Sequence, residues 1–517
     1  MIPLIKEKLN EQLKNQFHIS SFRPGQEEII NDIMDWRDVL AILPTGSGKS
    51  LCYQLPASLF KGATIVVSPL ISLMEDQVKQ LKATGFKAVV ALNSFMDLRE
   101  KKRVLQQLDQ YKLIYLSPEI LQHDDIIHRL KQMLVNLFVI DEAHCISQWG
   151  HEFRPDYLRL GDVIEQLDNP AVMALSATAT KEVQNDIISS LNRPGIVRHI
   201  YPMDRENITF TVKKVNDDRQ KQEMIINILK RYRVPTLIYF SSKRITEKIA
   251  AVLSKKLPSH RIAYYHGGMD QVDRISIQQQ FMNDQLDVIC CTSAFGMGIN
   301  KQDIRLILHY HFPLQMESYL QETGRAGRDG KSSVSLLLYA PGDETLHKSI
   351  LDNELPSVED VNVLFNRLYQ LYLQNPQLPK TDEVLETLEL SEIQWRFLHY
   401  QMEKHGMIKK NRLVFQHEEW EYSIEKIKEF MTERSALKEE KLGEIINWIH
   451  DDQCLRESLY KGFQTGYKTP LHACCSNCDF SFKNWEPEQT QANETNSSWE
   501  TKLGKLFFIG DYNSETK

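Results

Sequence analysis

The sequence lacks the features that would place it in several special classes of protein. No segment of its 517 residues approaches the ~20 consecutive apolar residues of a membrane-spanning helix. The first segment, MIPLIKEKLNEQLKNQF, lacks the basic start, apolar block and small-residue cleavage site of a secretion signal. Its pattern instead predicts an amphipathic helix. We therefore expect a globular protein that works in the cytoplasm.

The chain also lacks an excess of positive charge. Lysine and arginine number 62 against 69 acidic residues, which gives a formal net charge of −7. Binding to a nucleic acid would need local basic patches, because the whole-chain charge neither supports nor excludes it. Apolar residues make up 42% and charged residues 25%, which is ordinary for a globular protein of about three domains.

Cysteine is scarce over most of the chain and concentrated near its end. Four of the eight cysteines lie within apolar segments and are predicted to be small buried side chains. These are Cys52, Cys145, Cys290 and Cys291. The other four lie between residues 454 and 478, a grouping that indicates a metal site rather than a disulfide framework.

Two successive units of alternating strands and helices fill most of the chain. Near-continuous Val, Ile and Leu runs indicate parallel strands that are covered on both faces. In the first unit, predicted over residues 1–205, these runs are DVLAIL, ATIVVS, KLIYLS, LFVI and AVMAL. In the second unit, predicted over residues 206–345, they are TLIYFS, RIAYYH, DVICCT and IRLILHY. The predicted fold class is therefore α/β, with two tandem parallel-sheet domains.

The strand signal fades after the second unit. Residues 346–418 predict helices followed by a basic hairpin, HGMIKKNRLVF, which is the outline of a winged helix or else a helical connector. Residues 419–482 predict a helical zinc-binding module, in which residues 420–462 form two long amphipathic helices that lead to the clustered cysteines. Residues 483–517 predict a flexible tail in which the apolar segment KLFFIG docks on the body of the protein.

A glycine-rich loop, LPTGSGKS, lies between the first predicted strand and a predicted helix. Its glycines would let backbone amides turn toward phosphate oxygens, and the helix would present its positive end to them. Lys49 would reach the outer phosphates, and Ser50 would hold Mg²⁺. Leu43 stands where the strict pattern has glycine. The predicted nucleotide-binding residues of this loop are Pro44, Thr45, Gly46, Ser47, Gly48, Lys49 and Ser50.

Two acids follow the predicted strand LFVI, at the edge where a parallel sheet binds ligands. Asp141 would hold Mg²⁺ through water, and Glu142 would orient the water that attacks the γ-phosphate. An aromatic-rich loop comes next. Trp149 and Phe153 would stack on unpaired bases, a contact worth ~1–3 kcal/mol per base, or else pack into a domain interface. Tyr157 is predicted to serve packing.

Taken together, these motifs resemble the RecQ family of superfamily-two DNA helicases. In the first unit the similar motifs are FRPGQEEII, VVSPLISLMEDQV, DEAHCISQWGHEFRPDY and SATAT. In the second unit they are YFSSK, YYHGGM, CCTSAFGMGINKQDIR and QETGRAGRDG. The resemblance is dense over residues 10–340 and looser over residues 420–480. It implies two RecA-like domains with ATP between them, in a short form without the C-terminal helical domain of some relatives.

The resemblance also implies roles for individual residues. Gln26 would recognise adenine with Arg23 close by, and Arg328 would be an arginine finger that Arg325 supports. The predicted catalytic residues are Lys49, Asp141, Glu142, His144, Gln321, Arg325 and Arg328. The predicted DNA-binding residues are Ser68, Trp149, His151, Phe153 and Arg154.

The clustered cysteines resemble the RecQ zinc module. The predicted zinc ligands are Cys454, Cys474, Cys475 and Cys478. Cys475 and Cys478 have the C-x-x-C spacing of a tetrahedral Zn²⁺ site. This chain has Ser481 where the family usually offers a further cysteine, so Cys474 would supply the missing ligand, with His472 as a less favoured substitute. The alternative is a degenerate knuckle held by packing.

The resemblance implies an ATP-dependent DNA helicase that moves 3′ to 5′ and unwinds duplexes in recombination and repair. Its cofactors would be ATP, Mg²⁺ and Zn²⁺. Its partners would be single-stranded and tailed or forked duplex DNA, with a single-strand-binding protein or other repair factors. We expect a monomer that associates with the nucleoid in the cytoplasm.

Three rival functions stay open at this point. The same motifs serve a DNA-stimulated ATPase that translocates without strong unwinding, and they also serve an RNA helicase. A non-catalytic binding scaffold is a third rival, although Lys49, Asp141, Glu142 and Arg328 argue against it.

Overall fold

The computed structural model describes residues 3–93, 96–147, 154–295, 301–378, 381–388, 390–409, 412–464 and 466–489. Within them the chain forms two parallel sheets in succession and then a mostly helical region that leads to the clustered cysteines. The predicted α/β fold with two tandem parallel-sheet domains is therefore confirmed, as is the helical C-terminal region.

The first sheet carries the phosphate-loop motif and forms the first lobe. In the described residues its strand order is β3-β4-β2-β5-β6-β1-β7, and all neighbouring strands pair in parallel. The strands are β1 (Val39–Ile42), β2 (Ala63–Val67), β3 (Val89–Leu92), β4 (Leu113–Leu116), β5 (Val135–Ile140), β6 (Ala171–Ser176) and β7 (Val197–Ile200). The helices are α1 (Pro3–Asn15), α2 (Gln26–Met34), α3 (Leu51–Leu59), α4 (Ile71–Ala83), α5 (Leu98–Gln106), α6 (Asp124–Lys131), α7 (Leu160–Gln166) and α8 (Lys181–Ser190).

The second sheet forms the second lobe. In the described residues its strand order is β10-β11-β9-β12-β13-β8, again with parallel neighbours. The strands are β8 (Ile208–Lys214), β9 (Thr236–Tyr239), β10 (Ile262–Tyr265), β11 (Val288–Cys291), β12 (Leu306–His309) and β13 (Ser333–Tyr339). The helices are α9 (Asp218–Arg231), α10 (Lys243–Lys256), α11 (Gln271–Met282), α12 (Met316–Thr323) and α13 (Asp343–Asp352).

Strand burial accounts for the strands that the sequence predicted in the first lobe, although the buried β3 was not predicted. The central strands β1, β2, β4, β5 and β6 are buried almost throughout, which is why they read as continuous apolar runs. The edge strand β7 reads VRHI and alternates between half-buried and exposed residues, so it gave no such signal. The segment from 201 to 207 joins the two sheets and is called the interlobe segment below. The predicted domain limits themselves stay predictions.

After α13 the chain builds a small helical module. It consists of α14 (Val358–Gln374), α15 (Thr381–Leu388), α16 (Glu392–Lys404) and an antiparallel hairpin of β14 (Ile408–Lys409) and β15 (Arg412–Leu413). This is the winged-helix outline that the sequence predicted. Capping boxes start two of the helices: the N-cap Ser357 pairs with Asp360 in the first turn of α14, and the N-cap Ser391 pairs with Gln394 in the first turn of α16.

The last helices differ from the prediction of two long ones. A single helix of 34 residues, α17 (His417–His450), is followed by the short α18 (Leu455–Tyr460). Residues 417–450 contain no proline, and lysine–glutamate pairs such as Lys428–Glu425 support the exposed face. Trp448 and Leu459 pack in the same core cluster as Phe210 and Tyr319 of the second lobe, so the C-terminal region and this lobe share one core.

The chain beyond the cysteines lies along the second lobe. Trp485 is buried, and Phe482 accepts a hydrogen bond from the Tyr232 hydroxyl through its carbonyl oxygen. The segment KLFFIG, predicted to dock, lies outside the described residues. No helix in the described part of the chain is long and apolar enough to cross a membrane.

Candidate functional site

The phosphate loop, residues 43–50, follows β1 and leads into α3, as the sequence predicted. Gly46 and Gly48 have φ angles of 81° and 78°, a conformation that other residues rarely adopt. A Cβ atom on Gly48 would lie 2.8 Å from Gln26 Nε2. Lys49 and Ser50 are half-buried at the start of α3, where the backbone amides of the helix favour an anion.

The two residues predicted to recognise adenine lie directly against this loop. Gln26 is buried, and its amide nitrogen donates to the carbonyl oxygens of Ser47 and Gly48 at 2.9 and 3.1 Å. Arg23 donates from Nη1 to the carbonyl oxygen of Gly46 at 2.5 Å. A base bound by Gln26 would therefore act on the shape of the phosphate loop. Contact with adenine itself stays a prediction.

The two acids lie at the carboxyl end of β5, which pairs with β6 next to β1. Glu142 has φ 50° and ψ 48°, a strained conformation for a residue with a side chain, and such strain gathers at functional sites. Burial and the neighbouring Glu142 carboxylate raise the pKa of Asp141 to about 6, while Lys49 opposes that rise. A bound cation would favour the ionised form of Asp141.

His144 connects the acids to the SATAT segment. Its side chain is fully buried, and Nδ1 lies 2.9 Å from the Ser176 hydroxyl oxygen and 3.4 Å from Glu142 Oε2. The Ser176 hydroxyl donates to the Thr178 carbonyl oxygen, so it accepts from His144. The backbone carbonyl of Ser176 accepts from Leu43 at the start of the phosphate loop. A network of polar contacts therefore connects the two acids, the SATAT segment and the phosphate loop.

The second lobe supplies the opposite wall of the site through the loop from residue 324 to 328, called the finger loop below. A Cβ atom on Gly46 would lie 3.1 Å from Arg328 Cγ, so the Arg328 side chain crosses to the phosphate loop. Thr45 Oγ1 donates to the Gly324 carbonyl oxygen at 2.7 Å. Burial and the nearby Arg325 and Arg205 lower the pKa of Arg328 to about 9, so it stays protonated at neutral pH.

This crowding of cations makes the wall suited to an anion. The Arg325 and Arg205 guanidinium groups disfavour the charged form of Arg328, and a phosphate group beside Arg328 would relieve that repulsion. Gln321 is buried beside the finger loop, and its amide nitrogen has no hydrogen-bond partner among the described residues. The arrangement fits a triphosphate held between Lys49 on one lobe and the arginines on the other.

The predicted DNA-binding residues fall into three groups. Trp149, His151 and Phe153 lie outside the described residues. Arg154 is half-exposed, and its Nη1 donates to the Pro69 carbonyl oxygen at 3.3 Å. Ser68 follows β2 but is only 1% exposed, and its hydroxyl has no partner in the described part of the chain. Their roles toward DNA stay predictions.

Tyr157 serves packing, as predicted. It is fully buried in the core of the first lobe, and its hydroxyl donates to the Asp141 carbonyl oxygen at 3.1 Å. The four cysteines predicted to be buried, Cys52, Cys145, Cys290 and Cys291, are buried as well.

The structure brings together the four clustered cysteines, Cys454, Cys474, Cys475 and Cys478, whose sulfur atoms all lie within 4.8 Å of one another. The Cys454–Cys474 and Cys475–Cys478 sulfur distances are 3.6 and 3.5 Å. A tetrahedral zinc–thiolate site needs sulfur atoms about 3.8 Å apart. The residues present therefore fit zinc. Ser481 instead accepts from the Lys483 backbone at the start of a short 3₁₀ helix.

Sequence reasoning missed the residues that hold the finger loop. Arg205 donates to the carbonyl oxygens of Gly324 and Gly327, and Asn207 donates to that of Gly327 at 2.8 Å. Both lie in the interlobe segment. Their position in a charged join between two α/β units was the sole available signal, because no local motif marks a contact with a loop more than 100 residues away.

The chain matches two family models. Residues 23–186 match the DEAD/DEAH box helicase model, and residues 220–330 match the helicase conserved C-terminal domain model. It is 40% identical over 505 residues to the probable ATP-dependent DNA helicase RecS of Bacillus subtilis, covering 97% of this chain and 98% of that protein. It is 43% identical over 345 residues to ATP-dependent DNA helicase RecQ of the same organism, covering 66% of this chain and 57% of that protein. Thus the chain spans nearly all of RecS but little over half of RecQ.

Solved structures share the fold. The helicase MrfA bound to DNA is 18% identical with a TM-score of 0.57, covering 82% of this chain and 65% of that one. The Mycobacterium smegmatis helicase Lhr bound to single-stranded DNA and AMP-PNP is 19% identical with a TM-score of 0.55, covering 75% of this chain and 55% of that one. This similarity shows the fold, a pair of RecA-like domains.

Proposed function

Because the chain belongs to the RecQ family of ATP-dependent DNA helicases, we propose that its ATP hydrolysis moves it 3′ to 5′ along single-stranded DNA and separates duplex strands. The observation that carries this proposal is the approach of Arg328 from the second lobe to Gly46 in the phosphate loop of the first. The two walls of a triphosphate site belong to different lobes, so binding and cleavage of ATP act on the lobe arrangement.

Each residue of the site has a chemical part in this proposal. Lys49 binds the outer phosphates, and Glu142 orients the attacking water and accepts its proton. Gln321, Arg325 and Arg328 stabilise the charge that develops on the γ-phosphate. Ser50 and Asp141 would hold Mg²⁺. When bound, this ion neutralises phosphate charge during transfer.

The proposed coupling to DNA runs through the aromatic-rich loop. The backbone amide of Arg154 donates to the Cys145 carbonyl oxygen at 3.1 Å, so the two ends of the loop meet beside His144. A strand that stacks on Trp149 and Phe153 and contacts His151 would pull on this point. The network from His144 through Ser176 would carry the displacement to the phosphate loop. These loop contacts rest on the resemblance and on the anchoring of the loop ends.

Zinc at the clustered cysteines is part of the proposal, with Cys454, Cys474, Cys475 and Cys478 as ligands. The sulfur distances support it. We further propose a winged-helix role in duplex engagement for residues 346–418. We also propose a cytoplasmic, nucleoid-associated monomer that acts in recombination and repair with a single-strand-binding protein or other repair factors.

A strand-displacement assay tests the proposal. With ATP and Mg²⁺, the protein should release the labelled strand from 3′-tailed and forked duplexes, and much less from 5′-tailed or blunt ones. The Lys49→Ala variant should release none, because it cannot grip the outer phosphates. ATPase that single-stranded DNA stimulates without any strand release would favour a translocase. Stimulation by RNA equal to that by DNA would favour an RNA helicase, and ATPase indifferent to both would refute the motor.

A further inference from the structure

The C-terminal region binds the interlobe segment through an ion pair and hydrogen bonds. Arg456 of α18 is fully buried and pairs with the buried carboxylate of Asp204. The Arg456 guanidinium also donates to the carbonyl oxygens of Arg205 and Ile208. The second Asp204 oxygen accepts from the Lys468 backbone amide at 2.8 Å. The chain that joins the lobes is therefore bound at Asp204 and Arg205 by α18 and by the segment that follows it.

Residues 473–476, which include two of the clustered cysteines, extend these contacts to β8. The Phe210 amide donates to the Cys474 carbonyl oxygen at 3.3 Å, and the Ser476 amide donates to the Phe210 carbonyl oxygen at 2.9 Å. The Thr209 hydroxyl donates to the Ala473 carbonyl oxygen at 2.7 Å. The segment that bears the predicted metal ligands thus pairs with the strand that follows the interlobe segment.

On its other side, the interlobe segment holds the finger loop. Arg205 donates to the carbonyl oxygens of Gly324, at 3.1 Å, and Gly327. Asn207 Nδ2 donates to the carbonyl oxygens of Gly327 and Lys331, both at 2.8 Å. A Cβ atom on Gly327 would lie 2.4 Å from Asn207 Nδ2, so this approach requires glycine. These hydrogen bonds and this close approach hold the finger loop against the interlobe segment.

We infer that Arg205 and Asn207 are positioning residues for the finger loop, and that Arg456 fixes the segment that carries them. Arg205 binds the two carbonyl groups that bracket Arg325, and the second of them directly precedes Arg328. Its guanidinium also adds positive charge beside Arg328. The inference rests on the proposed finger role of Arg328. It extends that role by tying the orientation of the finger to the joint between the lobes.

The physical consequence is a loss of turnover without a loss of nucleotide binding. Lys49 and the phosphate loop hold ATP on the first lobe, whereas Arg205 binds the finger loop of the second lobe. A finger displaced by about 1 Å costs roughly 100-fold in rate when charge stabilisation depends on position. Arg205 acts through Arg328, so removal of both should cost no more than removal of Arg328 alone.

The experiment compares Arg205→Ala, Arg205→Lys and Asn207→Ala in the full chain, with exposed Arg219→Ala as the matched control. We would measure kcat and KM for ATP with saturating single-stranded DNA, the affinity for a fluorescent ATP analogue, and the melting temperature. We expect Arg205→Ala to lower kcat about 10- to 100-fold at unchanged KM, analogue affinity and melting temperature. Arg205→Lys should restore part of the rate, and Arg219→Ala should match the parent protein.

Two outcomes would overturn the inference. One is an unchanged kcat in Arg205→Ala and Asn207→Ala. The other is a fall in kcat that follows a fall in melting temperature and analogue affinity, which would mean a merely structural role. If Arg328→Ala keeps full turnover, the finger role itself fails. If Arg328→Ala keeps a measurable residual turnover, adding Arg205→Ala should cause no further loss, and a further loss would show that Arg205 acts independently of Arg328.

Discussion

At the residue scale, Glu142 combines a strained backbone with a place at the sheet edge. Its left-handed conformation turns the carboxylate toward His144 instead of along the strand. Among the described residues, few non-glycine positions share a positive φ, and this one lies in the predicted site. The strain therefore favours a chemical role for Glu142.

Glu142→Gln should separate binding from turnover. Glutamine keeps the shape of the side chain, but it cannot accept a proton from the attacking water. We expect ATP affinity to be retained and turnover to fall about 100- to 10,000-fold, measured by analogue binding and single-turnover hydrolysis. Glu165→Gln, an exposed acid on α7, is the control and should hydrolyse normally. Normal turnover in Glu142→Gln would mean that another residue accepts the proton from the attacking water.

Tyr157→Phe should affect stability and leave DNA coupling intact. The change removes one hydrogen bond to the Asp141 carbonyl oxygen and keeps the buried ring. We expect a loss of about 0.5–1.5 kcal/mol in the free energy of unfolding, read as a lower melting temperature in calorimetry. Stimulation of ATPase by single-stranded DNA should stay at the parent level. Lost stimulation at an unchanged melting temperature would show that Tyr157 contacts DNA.

Residues within one local motif were predictable, and residues that meet across the lobes were not. The phosphate loop could be placed because glycine, lysine and serine spacing encodes a strand–loop–helix turn. The bond from Thr45 to Gly324 joins positions 279 residues apart, and no periodicity marks it. Ser68 illustrates the reverse case, since its motif predicts a DNA contact and the structure buries its side chain.

At the element scale, the cysteine cluster offers a test of an altered ligand set. We expect one zinc ion per chain, measured by mass spectrometry of the purified protein. Cys474→Ser should lose zinc, because the three cysteines left bind it less tightly than four. Ser481→Ala should keep zinc, since that hydroxyl caps a 3₁₀ helix instead. Zinc retained in Cys474→Ser would show that Cys474 is not a ligand. Absence of zinc from the parent protein would mean that packing alone holds the clustered cysteines together.

Element prediction succeeded for the buried central strands but missed the buried β3 and β13. The central strands were visible as apolar runs, whereas β8 ends in exposed lysines and was missed. The sequence predicted two long helices where the structure has the single 34-residue helix α17 followed by a short one. A long helix that is buried only at intervals has the same sequence pattern as two shorter helices. The capping boxes of α14 and α16 were available signals in the sequence.

At the scale of the whole molecule, the C-terminal region touches both lobes. The helical module reaches the first lobe through the ion pair of Arg159 with Glu403, while α17 and α18 share a core with the second lobe. No composition or spacing could have predicted that arrangement, because it depends on how separately predictable pieces stack. Movement of the lobes must therefore either break the Arg159–Glu403 contact or carry the module with the first lobe.

Nucleotide should draw the lobes together. Arg328 reaches Gly46 of the phosphate loop from the second lobe, and it repels Arg325 and Arg205 until phosphate lies beside them. Fluorophores at Lys102 of the first lobe and Lys255 of the second, attached through unnatural amino acids, would report the lobe distance by energy transfer. We expect higher transfer with AMP-PNP and single-stranded DNA than without nucleotide, and a smaller rise in Arg328→Ala. Equal transfer in every state would mean that hydrolysis does not drive the lobes, and the link between the cleft and movement along DNA would have to lie elsewhere.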